Sequence, residues 1–118
     1  MERRRGHYLG TEVDGVWYRR YRKDGLFARG LGEYWLDGDL LRFRRYLTRT
    51  PLGIPLRRVR AVETGAWHSG RWVAGVRATK LVWEHDGKLL SSGFVFTRTA
   101  SEAAEQAREL QDHIARLH

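Results

Sequence analysis

Thr99-Ala100-Ser101-Glu102-Ala103-Ala104-Glu105-Gln106-Ala107-Arg108-Glu109-Leu110-Gln111-Asp112-His113-Ile114-Ala115-Arg116-Leu117-His118 holds the one unambiguous periodicity in this sequence. Ala103, Ala107, Leu110, Ile114 and Leu117 recur at steps of four and three, which places them in one stripe down a helix. Glu102, Glu105, Gln106, Glu109, Gln111, Asp112 and Arg116 fill the other faces, and His113 reads as polar-face with them. Thr99 and Glu102 have the T-x-x-E spacing of a capping box, in which side chains satisfy the first backbone N–H groups. Acidic residues crowd the first turns and Arg116 and His118 close the last, so the charges oppose the helix dipole. A helix with one apolar stripe must lay it on something, and the chain before it reads as β-strand.

Outward from the helix, Lys88 to Thr97 and Thr79 to His85 flank Asp86-Gly87, a hairpin signal. Phe94 and Phe96 share the face expected under the helix, and Gly93 suggests a bulge. Arg71 to Arg77 reads as another strand, weakened by Gly75, and Thr64 to Gly70 as a loop tip. Leu56, Val59 and Val62 are three apart, a step that a bulge or a bent strand reconciles with a β context. Asp37-Gly38-Asp39 joins Gly32–Leu36 to Leu40–Leu47, with Leu41, Phe43 and Leu47 on the core face and Arg42, Arg44 and Tyr46 on the other. Val16 to Arg29 reads as a hairpin around Lys23-Asp24-Gly25, a short helix with Trp17 and Tyr21 on one face being the alternative. Residues 1–15, punctuated by Gly6, Gly10 and Gly15, read as a basic flexible arm, which leaves 16–118 as a single domain.

The totals narrow the function classes. A chain of 118 residues, 42% hydrophobic with five tryptophans, suits one folded domain with a modest core. There is no Cys, which excludes disulfides, thiol nucleophiles and cysteine metal sites. No apolar run approaches the roughly 20 residues needed to span a bilayer. Met1 to His7 lack the apolar stretch of a signal peptide. The expectation is a cytoplasmic protein, with peripheral attachment as its one membrane option. A net charge of +8 and a pI near 10.6 favour an anionic partner: nucleic acid, phospholipid headgroups or an acidic protein. The plainer reading is a solvated basic surface.

Three stretches carry a family resemblance: Gly32-Glu33-Tyr34-Trp35-Leu36, Asp39-Leu40-Leu41-Arg42-Phe43, and Ile54-Pro55-Leu56-Arg57-Arg58-Val59-Arg60-Ala61-Val62. Their progression resembles the core pattern of the pleckstrin-homology (PH) superfold, especially GRAM-like and bacterial PH-like domains, over about residues 30–118. The resemblance implies an α+β, mainly β fold: a PH-like bent antiparallel sheet or partly open barrel of about seven strands, capped by one C-terminal amphipathic helix. Residues 16–29 would then supply an extra strand or an embellishment. Phosphoinositide-binding members of that superfold put basic residues in the first hairpin loop. Asp37-Gly38-Asp39 stands in that place here, so no inositol-phosphate site is implied there.

Catalytic chemistry is weakly represented. His7, His68, His85, His113 and His118 show no metal-ligand spacing, and no G-x-S-x-G elbow occurs. Gly30-Leu31-Gly32 is half of a phosphate loop without a following helix, and Glu33, Asp37 and Asp39 are mostly turn residues rather than a carboxylate cluster. No cofactor is expected, and the chain reads as a non-enzyme. The better candidates are binding surfaces. Arg42, Arg44 and Tyr46 alternate on one strand, and Arg58 and Arg60 would do the same on a neighbour, giving an Arg-plus-aromatic face. Trp67, His68 and Trp72 surround a Ser-Gly tip, with Arg71 as a neighbour, an arrangement suited to a membrane interface or a protein partner. The expected function is a non-catalytic module binding a protein or an anionic membrane. Nucleic-acid binding through the Arg-rich face and the N-terminal arm is the alternative.

Overall fold

The computed structural model describes residues 4–14, 16–21, 26, 30–48, 51–65, 67–68, 71–72, 78–96 and 100–117, with side chains for all of these except 16–20, 65, 67–68, 71–72 and 100–104. Among the described residues, ten strands and one long helix follow in chain order: β1 (Arg4–Val13), β2 (Val16–Arg20), β3 (Gly30–Asp37), β4 (Leu40–Arg45), β5 (Leu52–Pro55), a 3-10 turn (Leu56–Arg58), β6 (Val59–Gly65), β7 (Trp67–His68), β8 (Arg71–Trp72), β9 (Ala78–His85), β10 (Lys88–Val95) and α1 (Ala100–Leu117). Seven strands run in the order β5-β4-β3-β1-β10-β9-β6, every pairing antiparallel, and the sheet does not close between β5 and β6. This is the mainly β, α+β architecture expected from the hairpins and the terminal helix.

The N-terminal reading is overturned. Arg4–Val13 is the central strand of the sheet, not part of an arm, so the sheet takes in residues ahead of residue 16. On one edge it pairs with β10 from His7 to Val13; on the other it takes β3 along Arg4–Tyr8 and β2 at Glu12 and Val13. Its glycines concealed it by interrupting the alternation of side chains. Gly6 lies where an added Cβ would meet the Tyr34 ring at 3.0 Å, so the missing side chain is what lets the strands pack. Gly10 has φ +108 beside a register shift, which leaves Leu9 as an extra residue opposite the Phe94–Gly93 step. The bulge expected at Gly93 thus lies in its partner strand.

Residues 16–20 form a strand, not a helix, and it pairs back on β1 across Asp14 (φ +54); the expected turn at Lys23-Asp24-Gly25 lies outside the described residues. The three-residue step Leu56–Val59 has a different cause from a bend alone. A 3-10 turn has three residues per turn, so Leu56 and Val59 both reach the core across it. A bulge between Val59 and Ala61 then resets β6 on β9. Trp67–His68 is a strand paired with Arg71–Trp72, Trp67 opposite Trp72, rather than a bare tip; the proposed continuation to Arg77 lies outside the described residues.

The core packs Tyr8, Phe43 and Phe94 with ring centroids 5.2–5.9 Å apart, and Phe94 stacks on Phe96 at 5.1 Å. The α1 stripe is buried at Ala107, Leu110 and Ile114, as the periodicity requires, each fully buried large side chain contributing about 1.5–3 kcal/mol. The helix lies on β6 and the 3-10 turn, at the open side of the sheet. Gln111 Nε2 donates to the Val62 carbonyl (3.2 Å) and Arg57 Nη1 to the Leu117 carbonyl (3.1 Å), pinning the helix from both elements. The proposed Thr99–Glu102 capping box falls outside the described side chains. His113 is not a polar-face residue: it is half-buried, and its Nε2 is shielded from solvent with no hydrogen-bond partner among the described residues.

Candidate interaction surface

Strand alternation fixes what the outer face of β1, β3 and β4 presents. Leu41 and Phe43 point inward, which turns Arg42 and Arg44 out. Register then builds rows across the strands: Arg5, Glu33 and Arg44 in one, and Trp35, Arg42 and Gly53 in the next. Arg44 Nη2 donates to Glu33 Oε1 (2.8 Å) and its Nη1 to the Thr48 carbonyl (3.1 Å). Arg42 Nε donates to Asp37 Oδ2 (3.2 Å), and its guanidinium lies over Gly53, where a Cβ would come within 3.3 Å of Nη1. Glu33, Asp37 and Asp39 thus each hold an arginine, the third through Arg57 Nε on Asp39 Oδ2 at 3.1 Å.

Two parts of the expected arginine face come apart. Arg58 sits in the 3-10 turn and Arg60 on β6, whose partner is β9, so neither neighbours Arg42 and Arg44 on β4. Arg60 Nη2 donates to Glu84 Oε2 (2.9 Å); this hydrogen bond and charge hold the Glu84 carboxyl below the usual carboxylate range and raise the Arg60 guanidinium. Trp67, Arg71 and Trp72 belong to the small β7–β8 pair, apart from the large sheet, and their side chains lie outside the description.

The charge surplus is not on the described surface either. The described side chains carry twelve Lys and Arg against eleven Asp and Glu, so most of the +8 lies on residues such as Arg19, Arg20, Arg22, Lys23 and Arg29, beyond the described side chains. With β1 as the first strand, the first connection is residues 14–15 between β1 and β2, and Asp37-Gly38-Asp39 comes later, between β3 and β4.

Leu47 reverses its expected role. β4 ends at Arg45, and Leu47 sits in the following turn with φ +69 and its side chain 104% exposed, instead of sharing the core face with Leu41 and Phe43. Tyr46 N–H donates to the Leu31 carbonyl (3.0 Å), which sets Leu31, 60% exposed, beside Tyr46, 39% exposed. Leu31, Trp35, Arg45 and Leu47 thus join Arg42, Arg44 and Tyr46 as surface residues that sequence reasoning did not single out. One signal was present: Arg45 occupies the next inward-parity position after Phe43, so the apolar row had already ended there.

A cleft of about 490 Å³ opens between α1 and β3, lined by Tyr34, Leu36, Phe96, Gln106, Leu110 and His113 among others. Burial raises the Tyr34 hydroxyl above its ordinary pKa, and it donates to Gln106 Oε1 at 2.7 Å. Its neutral form is thereby committed to the fold. No family model, curated protein or solved structure matches the chain.

Proposed function

We propose that this chain is a non-catalytic interaction module of PH-like type, which binds a protein or an anionic membrane through the outer face of β3 and β4 and the turn that follows. The observation that carries this reading is the exposure of Leu31 and Tyr46, neighbours on adjoining segments, and of Leu47 in the turn that follows, at one end of an Arg- and Trp-bearing sheet face. Folding gains little from leaving three such side chains in water, and contiguous exposed apolar groups mark interaction sites. The architecture, a seven-strand antiparallel sheet with one C-terminal helix, supports the PH-like assignment. Nucleic-acid binding by the strand arginines receives less support, since Arg42, Arg44 and Arg60 are each committed to a carboxylate.

Titration of labelled single-stranded DNA, duplex DNA and anionic vesicles across a salt series tests this reading. The expected result is vesicle or protein binding that outlasts nucleic-acid binding as salt rises. A steep salt-dependent preference for DNA would overturn it, because phosphate contacts release counterions on binding.

A further inference from the structure

The turn Arg45-Tyr46-Leu47-Thr48 is closed by Thr48 N–H donating to the Arg45 carbonyl (3.1 Å), with Thr48 Oγ1 donating to the same oxygen (2.6 Å). Its third residue takes positive φ, a place where glycine avoids a conformational cost that a leucine must bear. Leu47 bears that cost and gains no burial in return. Neither packing nor backbone preference accounts for a leucine here, so its use lies outside the folded chain. The surroundings specify the chemistry of that use. Arg45 is exposed, has no acidic partner among the described residues, and runs beside Gly30, where a Cβ would stand 3.1 Å from its Cδ. Residues 40–62 contain seven arginines, of which Arg42, Arg44, Arg57 and Arg60 are paired with carboxylates from other segments, so Arg45 is the guanidinium at this turn left for an outside anion.

We infer that this turn is an insertion tip for an anionic phospholipid bilayer; the inference rests on the surface reading above and names its partner. Leu47 and Leu31 enter the boundary between headgroups and acyl chains, Tyr46 sits at headgroup level, and Arg45 stays among the phosphates. One turn and three side chains offer far less than the ~800 Å² per partner of a stable protein interface. A bilayer needs no matching partner surface, and a few apolar side chains with a basic collar suffice for reversible attachment.

The cysteine-free chain gives a direct test. Leu47→Cys carrying an environment-sensitive fluorophore is compared with Leu89→Cys, another exposed leucine, which lies six residues along β10 from Val95 and hence about 20 Å from the row shared by Val95, His7 and Leu31. On vesicles of phosphatidylcholine with phosphatidylserine, the label at 47 is expected to brighten and shift to the blue while the label at 89 does not, and vesicles of phosphatidylcholine alone give little change. Leu47→Gly, which relieves the backbone, is expected to lower vesicle affinity by about tenfold or more while raising thermal stability. A silent label at 47 on a protein that binds anionic vesicles would overturn the inference, as would unchanged affinity in Leu47→Gly. Failure of the unmodified protein to bind vesicles overturns it too. If Leu47→Gly then breaks a self-association or a partner complex, the surface reading survives; if it alters neither, both fall.

Discussion

Two regions of this molecule depart from the rule that apolar groups go in and polar groups stay out, in opposite directions. Inside the sheet, the Tyr8 hydroxyl donates to the Leu26 carbonyl (2.6 Å) and bonds Thr11 Oγ1, which in turn meets Ser92 Oγ at 2.6 Å. Trp83 Nε1 donates to the same Ser92 oxygen at 2.9 Å. Every polar atom of this buried chain has a partner, so the network is fully explained by the fold it holds together. At the end of β4, Leu31, Tyr46 and Leu47 are apolar groups in water, and the folded chain gives them nothing comparable. A departure satisfied from within is structural; one left open on the surface marks where another molecule belongs.

Five variants press on that contrast. Ser92→Ala leaves the fully buried Trp83 Nε1 without its acceptor and should cost about 1–3 kcal/mol in denaturant unfolding. Adding Trp83→Phe removes the orphaned donor, so the double variant should lose less than the sum of the single losses. At the other region the sign is opposite: Leu47→Gly should stabilise by about 1 kcal/mol, because a positive φ costs glycine little and no buried contact is lost. A destabilised Leu47→Gly would show that the turn is structural after all and would erase the distinction.

Between the two stand the paired arginines. Arg44→Glu sets like charges opposite each other at Glu33 and should cost about 0.5–1 kcal/mol, easing as salt is added. The smallest effect belongs to Arg60→Ala on the far edge. Its pair lowers the Glu84 pKa in the fold, so what stability it adds is present above the ordinary carboxylate range and is lost as pH falls through the lowered value. Both partners are exposed, so the loss of stability at neutral pH should be slight. The clear readout is Glu84 titrating closer to the usual range in side-chain NMR, and an unmoved titration would mean the pair does not persist in solution.

The elements differ in how legible they were. The helix and the Asp37-Gly38 and Asp86-Gly87 hairpins follow from local chemistry: a stripe at helical spacing, and turns in which Gly38, Asp86 and Gly87 take positive φ. The central strand was hidden because Gly6 and Gly10 serve close approach and a bulge, uses that look like loop punctuation until the neighbouring strands are in place. On the candidate surface, the outward direction of Arg42 and Arg44 was legible from alternation, but their pairing with Asp37 and Glu33 was not. The Arg44–Glu33 pair depends on which residues two strands set side by side. Arg58 and Arg60 could not be placed because a 3-10 turn breaks the phase on which alternation depends.

What the amino-acid order determined alone is the set of elements that carry their own signal: a terminal amphipathic helix, tight Asp-Gly turns, and strands whose apolar parity runs unbroken. Only the tertiary structure decided that residues 4–13 lie at the centre of the sheet, that Arg42, Arg44, Arg57 and Arg60 each meet a carboxylate, and that Leu47 stands in water. Each of those depends on a partner distant in sequence or on where a strand stops, and backbone pairing between remote segments leaves no period in either segment by itself.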